Sequence, residues 1–136
     1  MSARSKARKR ALDIVYAAEM RGRTPSEELA DHAGTRQTEP QEYAVTLIHG
    51  VEEHRARIDE LIAQYSQGWT LERMPAVDRN VLRLGVFEVL WADDVPDAVA
   101  VSEALNLVRE LSTDDSPAFV NGVLGNIVRD KALLGA

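Results

Sequence analysis

Five cations crowd the first ten residues: Arg4, Lys6, Arg8, Lys9 and Arg10, with no acid among them. Ammonium and guanidinium groups at this density suit the binding of phosphate oxygens. Arginine adds planar, multi-donor recognition and stacks on bases. The cluster falls at the start of a helix predicted over about residues 5–21, where cations oppose the helix macrodipole at about 0.3–1 kcal/mol each. A local rule broken without local gain points to function, and here to nucleic acid. The competing reading is a solvated tail that only aids solubility, and charge alone does not choose between RNA and DNA.

Other chemistries find no residues to carry them. The chain has no cysteine, which excludes disulfides, thiolate catalysis and Cys-ligated metals. Of the histidines His32, His49 and His54, the last two are five apart and lie on different helix faces, so no metal site is expected. The carboxylate pairs Glu27/Glu28, Glu52/Glu53 and Asp93/Asp94 read as solvated faces rather than acid–base dyads. No Gly-x-Ser-x-Gly, His-Glu-x-x-His or phosphate-cradling glycine loop occurs. Gly122 and Gly125 fall inside a predicted helix, where close packing is the expected reason for them, and Asn121 is read as structural too. The sequence therefore predicts no catalytic residue, no metal and no cofactor.

The elements that must position the basic cluster are helices. The 136 residues are 45% apolar and 28% charged, enough for one globular domain over residues 1–136 with its own core. The net charge is −6, but residues 11–136 hold 11 cations against all 22 acids, a net of −11. A basic arm on an acidic body suggests one anionic and one basic partner. With no 18-residue apolar run and no secretory signal pattern, no membrane contact and a cytoplasmic location are expected.

In the first helix Ala7, Ala11, Leu12, Ile14, Val15 and Ala18 form the apolar side, with Arg4, Arg8 and Lys9 placed largely off it. Thr24-Pro25-Ser26-Glu27 reads as a capping box opening a short helix to about Ala33. Gly34 to Glu39 reads as a polar loop, and Pro40 to about Gln67 as one long helix. Gly68 stops it, and Thr70 to Met74 is an isolated turn. Val77–Trp91 is apolar on most sides, which predicts a central position. A helix follows from about Ala98 to Leu111, and the last begins at Ser116-Pro117 with Asp114 and Asp115 near its positive end. The expected fold is all-α, one compact bundle of six or seven helices.

These segments also resemble a known family. Ala7-Arg8-Lys9-Arg10-Ala11-Leu12-Asp13-Ile14-Val15-Tyr16 resembles the arginine-rich first helix of the NusB family. Val77 to Leu90 is similar to its central helix. Val95-Pro96 with Ala100 to Leu105 is similar to the next one, and Phe119-Val120-Asn121-Gly122-Val123-Leu124 matches its C-terminal signature. The four segments occur in family order and frame most of the chain. Val15 departs from the usual leucine, Gly125 from a frequent acid, and Gly68-Trp69-Thr70 resembles actinobacterial members.

The resemblance implies a non-enzymatic transcription antitermination factor. It would bind single-stranded boxA-type RNA, chiefly from ribosomal RNA leaders, together with the ribosomal protein NusE in an RNA polymerase complex. It assigns Arg4, Lys6, Arg8, Lys9 and Arg10 to RNA, with Asp115 and Ser116 as a second RNA-near element for which helix capping is the competing role. Tyr16, Glu72 and Asp78 become candidates for the NusE face; Tyr16 alternatively edges the core and Asp78 alternatively begins a helix. Family members occur as monomers and homodimers, and an exposed Trp69 or Trp91 would suit such a contact. Two alternatives stay open. One is a protein-binding helical adaptor; the other is an accessory domain related to the N-terminal domain of RNA cytosine methyltransferases, here without a catalytic cysteine.

Overall fold

The computed structural model describes residues 2–33 and 42–135. These residues form seven α-helices and one short 3-10 turn, with no strand among them. The chain divides into two compact units, Met1–His54 and Arg55–Ala136. The expected loop from Gly34 to Glu39 lies outside the described residues.

The first unit holds α1 (Ala3–Met20), α2 (Pro25–Ala33) and α3 (Glu42–Glu53), and α1 packs on both of the others. Ser2 caps α1, its Oγ accepting the Ser5 N–H at 3.0 Å. Ala7, Ala11, Leu12, Ile14, Val15 and Ala18 are its buried apolar residues, as the periodicity requires. The helix ends where Gly22 takes φ +66°, a backbone conformation that costs glycine little. The predicted capping box is present. Thr24 Oγ1 accepts the Glu27 N–H at 3.1 Å, and Glu27 Oε1 accepts the Thr24 N–H at 2.9 Å. Glu52 of α3 accepts from the Ser26 N–H at 2.9 Å and Ser26 Oγ at 2.8 Å, tying α3 to the first turn of α2.

Two expectations are corrected here. Glu28 is not a solvated carboxylate but fully buried, and Arg21 Nη1 at 2.9 Å and His32 Nε2 at 3.0 Å meet it. Sequence showed two adjacent acids and could not show that one turns inward, where the guanidinium groups of Arg21 and Arg23, at 2.9 and 3.7 Å, offset its desolvation. The long helix expected from Pro40 is also interrupted: α3 ends at Glu53 and α4 begins at Arg55. Val51 and Ile58 are seven residues apart, both apolar and both buried, and neither glycine nor proline lies between them. Periodicity records apolar residues at helical spacing and is silent about an interruption that falls between two of them.

The second unit comprises α4 (Arg55–Tyr65), the 3-10 turn Leu71–Arg73, α5 (Ala76–Trp91), α6 (Asp97–Leu111) and α7 (Ser116–Leu134). Within it α5 packs against α4, α6 and α7, and every residue from Asn80 to Leu90 is buried. The all-round apolar character of this segment thus has the predicted consequence. Its one buried arginine, Arg83, bonds both carboxylate oxygens of Asp59, at 2.8 and 3.2 Å.

Gly85 is a closely packed glycine. A Cβ there would lie 2.8 Å from Leu124 Cδ1. The packing role expected of Gly122 and Gly125 is overturned: both are exposed and a Cβ on either meets nothing within 4 Å. Asn121 is exposed as well. They occupy the outer side of α7, while Val120, Val123, Leu124 and Ile127 face inward.

Candidate nucleic-acid and partner interface

Helix α1 presents the basic cluster in two groups. Lys6 is exposed and Lys9 and Arg10 are half-buried. At about 100° per residue these three fall on the outward side, followed along the same side by Asp13, Tyr16 and Met20. Tyr16 and Met20 are 37% and 53% exposed, which makes the C-terminal half of this stripe apolar where its N-terminal half is cationic. The first turn of α1 contains no acid, so the opposition between cations and macrodipole stands in the structure.

The second group corrects an expectation. Arg8 was placed off the apolar side and is 4% exposed. It is one residue beyond Ala7 and three before Ala11, hence on the buried side, and its flanking position alone does not keep it in water. Arg4 and Arg8 are one turn apart and share the ring of Tyr43 on α3. The Arg4 Cζ lies 4.1 Å and the Arg8 Cζ 5.6 Å from the ring centroid, both within cation–π range. Arg4 itself remains exposed. Tyr43 carried no sequence signal, because its partners come from another helix.

Asp13 sits inside the cationic stripe. Desolvation by its surroundings raises its carboxyl above the ordinary aspartate pKa, while Arg10, Lys9 and His32 pull it down. It is the acid that an approaching phosphate would meet beside Lys9 and Arg10.

In the second unit Glu72 is exposed on the 3-10 turn. Arg79 Nη1 of α5 donates to the Leu71 and Met74 carbonyls at 2.7 and 3.2 Å and so holds the turn that carries it. Asp78 behaves differently: it is 2% exposed in the first turn of α5. Ser112 Oγ donates to Asp78 Oδ1 at 2.5 Å, and Ser116 Oγ donates to Ser112 Oγ at 3.1 Å. Ser116 Oγ in turn accepts the Thr113 N–H at 3.2 Å and lies 2.8 Å from Thr113 Oγ1. With the Ser116 proton committed to Ser112, Thr113 supplies the proton of that last contact. Three hydroxyls thus align toward one carboxylate, a cooperative arrangement in a low-dielectric setting.

This chain joins two residues assigned to different partners, Asp78 and Ser116, and both are buried. Ser116 does not cap α7 in the ordinary way: the N-cap is Asp115, which is exposed and makes no side-chain capping bond. Asp115 therefore offers its carboxylate to solvent. Of the two tryptophans, Trp69 is 49% exposed with its ring 5.1 Å from that of Phe119, whereas Trp91 is half-buried against Phe87.

Among the described residues no three His, Cys, Asp or Glu side chains gather as metal ligands, and no helix is long and apolar enough to cross a membrane.

Comparison with known proteins places this geometry. The sequence pattern of the NusB family matches residues 5–129. A transcription antitermination protein NusB of Nocardioides is 62% identical over 134 residues, covering 98% of this chain and 99% of that protein. Among solved structures, NusB of T. maritima superimposes with a TM-score of 0.85 at 32% identity, covering 96% of this chain and 94% of its own. A chain from a crystal structure of the antitermination factors NusB and NusE with double-stranded RNA gives a TM-score of 0.80 at 28% identity. That match covers 93% of this chain and 96% of the other.

Proposed function

The chain belongs to the NusB family of transcription antitermination proteins, and from that premise we propose that it binds single-stranded boxA-type RNA jointly with NusE. Its task is then non-enzymatic: to bring nascent transcript, chiefly ribosomal RNA leader, into an RNA polymerase antitermination complex in the bacterial cytoplasm. The observation that carries the reading is the outward stripe of α1. Lys6, Lys9 and Arg10 supply phosphate contacts at one end, and Tyr16 and Met20 offer apolar area for a protein at the other. A transcript and a protein partner can therefore meet side by side on one helix. The solved NusB–NusE complex with RNA supports the pairing of partners. Glu72, exposed on its pinned turn, adds a negative group suited to a basic ribosomal protein. Asp115 belongs to the RNA-near element at the start of α7.

Burial of Arg8 changes the expected electrostatics. Four cations of the arm, Arg4, Lys6, Lys9 and Arg10, retain contact with solvent. Single-stranded RNA bound through four phosphates gives a slope of log K against log salt near about −2.8. The test is fluorescence anisotropy across a salt series. Single-stranded boxA-like RNA is compared with a scrambled strand and a duplex, each with and without NusE. Selective binding to the boxA strand, tightened by NusE and with that slope, is the expected result. Equal and weak binding to all three, indifferent to NusE, would reduce the arm to a solubility tail and favour the protein-adaptor reading. Sedimentation of the free protein accompanies the titration, because a homodimer covering α1 would mask the same cations.

A further inference from the structure

Phosphate contacts position a strand but carry no sequence information, which is read from base edges. A basic stripe on α1 therefore leaves base recognition to another surface. In the second unit α4 ends at Tyr65, and the turn after it faces the outer side of α7. Between them lies a cavity of about 190 Å³ whose walls include Tyr65, Gln67, Phe119, Gly122 and Asn126. These walls suit a nucleobase, which has two apolar faces and a polar edge. Phe119 and Tyr65 supply rings, and the amides of Gln67 and Asn126 each set a donor beside an acceptor. Arg129 Nη1 donates to Asn126 Oδ1 at 3.1 Å, and the Tyr65 hydroxyl donates to Asp130 Oδ2 at 2.7 Å, so both side chains are held in place.

Two features of the walls break a local rule. Glycine is among the poorest residues for a helix interior, yet Gly122 lies within α7 and a Cβ there would meet nothing within 4 Å. Its bare backbone leaves the mouth of the cavity open. Gln67 takes φ +51°, a left-handed conformation that a helix end ordinarily gives to glycine. The turn is closed by Ser66, whose Oγ donates to the Trp69 carbonyl at 2.6 Å. Beside this wall Trp69 stays 49% exposed, its ring 5.1 Å from that of Phe119.

We propose that this cavity is a nucleobase subsite. One unpaired base of the bound strand stacks on Phe119 and presents its edge to Gln67 and Asn126, and Trp69 stacks on the next base. Adenine, which offers a donor beside an acceptor, is the base best matched to a side-chain amide. The proposal deepens the RNA-binding reading above and rests on it.

The experiment uses the full chain in anisotropy, with thermal melts of every variant. The probes are single-stranded boxA-like RNA and the same strand with one abasic nucleotide at each position in turn. Gly122→Leu fills the mouth from an exposed helix position. It weakens binding of the intact strand at least about fivefold, while its Tm stays at or above that of the parent. For the parent, removal of the captured base costs at least about fivefold in affinity. In Gly122→Leu the penalty at that nucleotide disappears, because base and cavity no longer meet. Gln67→Gly keeps the left-handed backbone, removes the amide, and lowers the same penalty without loss of Tm. RNA also quenches the Trp69 emission, read as the difference between the parent and Trp69→Phe. Unchanged binding by Gly122→Leu, or abasic penalties that all persist in it, overturns the proposal. So does a Gly122→Leu chain that loses NusE while holding RNA, which would give the cavity to a protein side chain. If Gly122→Leu fails to melt cooperatively, Gln67→Gly decides: an abasic profile identical to the parent's overturns the proposal. A parent chain that binds no RNA would overturn the RNA reading itself, a result distinct from RNA binding that ignores Gly122 and Gln67.

Discussion

Replacing Asp78 by alanine separates a structural acid from a partner-contact acid. The carboxylate is 2% exposed and accepts the Ser112 hydroxyl at 2.5 Å, a charge-assisted bond. Such bonds contribute about 1.5–3 kcal/mol. Asp78 also occupies the first turn of α5, where a negative charge adds about 0.3–1 kcal/mol. Alanine relieves the desolvation of the buried carboxylate, which offsets part of both terms, so the net destabilisation should be about 2–3 kcal/mol. For a chain of this size that corresponds to a fall in Tm of roughly 5–12 °C. Thermal and denaturant melts of Asp78→Ala, Ser116→Ala and the double variant measure it. Because both residues belong to one hydroxyl chain, the double variant should lose less than the two single losses together, by at least about 0.5 kcal/mol. Glu72→Ala, on an exposed turn, should stay within about 0.5 kcal/mol of the parent. An Asp78→Ala protein that melts with the parent but loses NusE binding would refute the reasoning and return Asp78 to the partner face.

Three other outcomes are expected. Lys6→Ala with Arg10→Ala should weaken RNA binding with helicity unchanged or slightly raised by circular dichroism, whereas Arg8→Ala should lower the Tm because a buried side chain is removed. At the glycines, Gly85→Ala should destabilise by about 1–3 kcal/mol as Leu124 is displaced, while Gly122→Ala and Gly125→Ala should stabilise by about 0.5–1 kcal/mol in chemical denaturation. At Asp13 the folded pKa lies above the unfolded one, so the folded chain binds the proton more tightly. Its contribution therefore weakens stability as pH rises from the unfolded pKa through the raised one. Asp13→Asn should flatten that acid-side decline in a Tm-against-pH series and, with one carboxylate gone from the cationic stripe, tighten RNA binding. A Tm profile identical to the parent would refute the Asp13 assignment.

The sequence by itself determined the fold class and most helices with their ends, the break between α3 and α4 excepted. Amphipathic periodicity, the Thr24–Glu27 box, the proline-started helices and the all-round apolar α5 are local signals, and local physics produced the structure from them. The basic cluster was equally legible, since charge is a property of composition. Tertiary structure alone decided which of these residues reach solvent. Arg8 and Glu28 turn inward, and Gly122 and Gly125 outward, because burial depends on which helix packs on which side. It also decided the partners. The Tyr43 ring beneath Arg4 and Arg8 joins residues distant in sequence, as does the hydroxyl chain from Asp78 to Ser116. Periodicity gives the side of a helix, but a contact between helices depends on the register and rotation of both, and those are set only when the core closes around them.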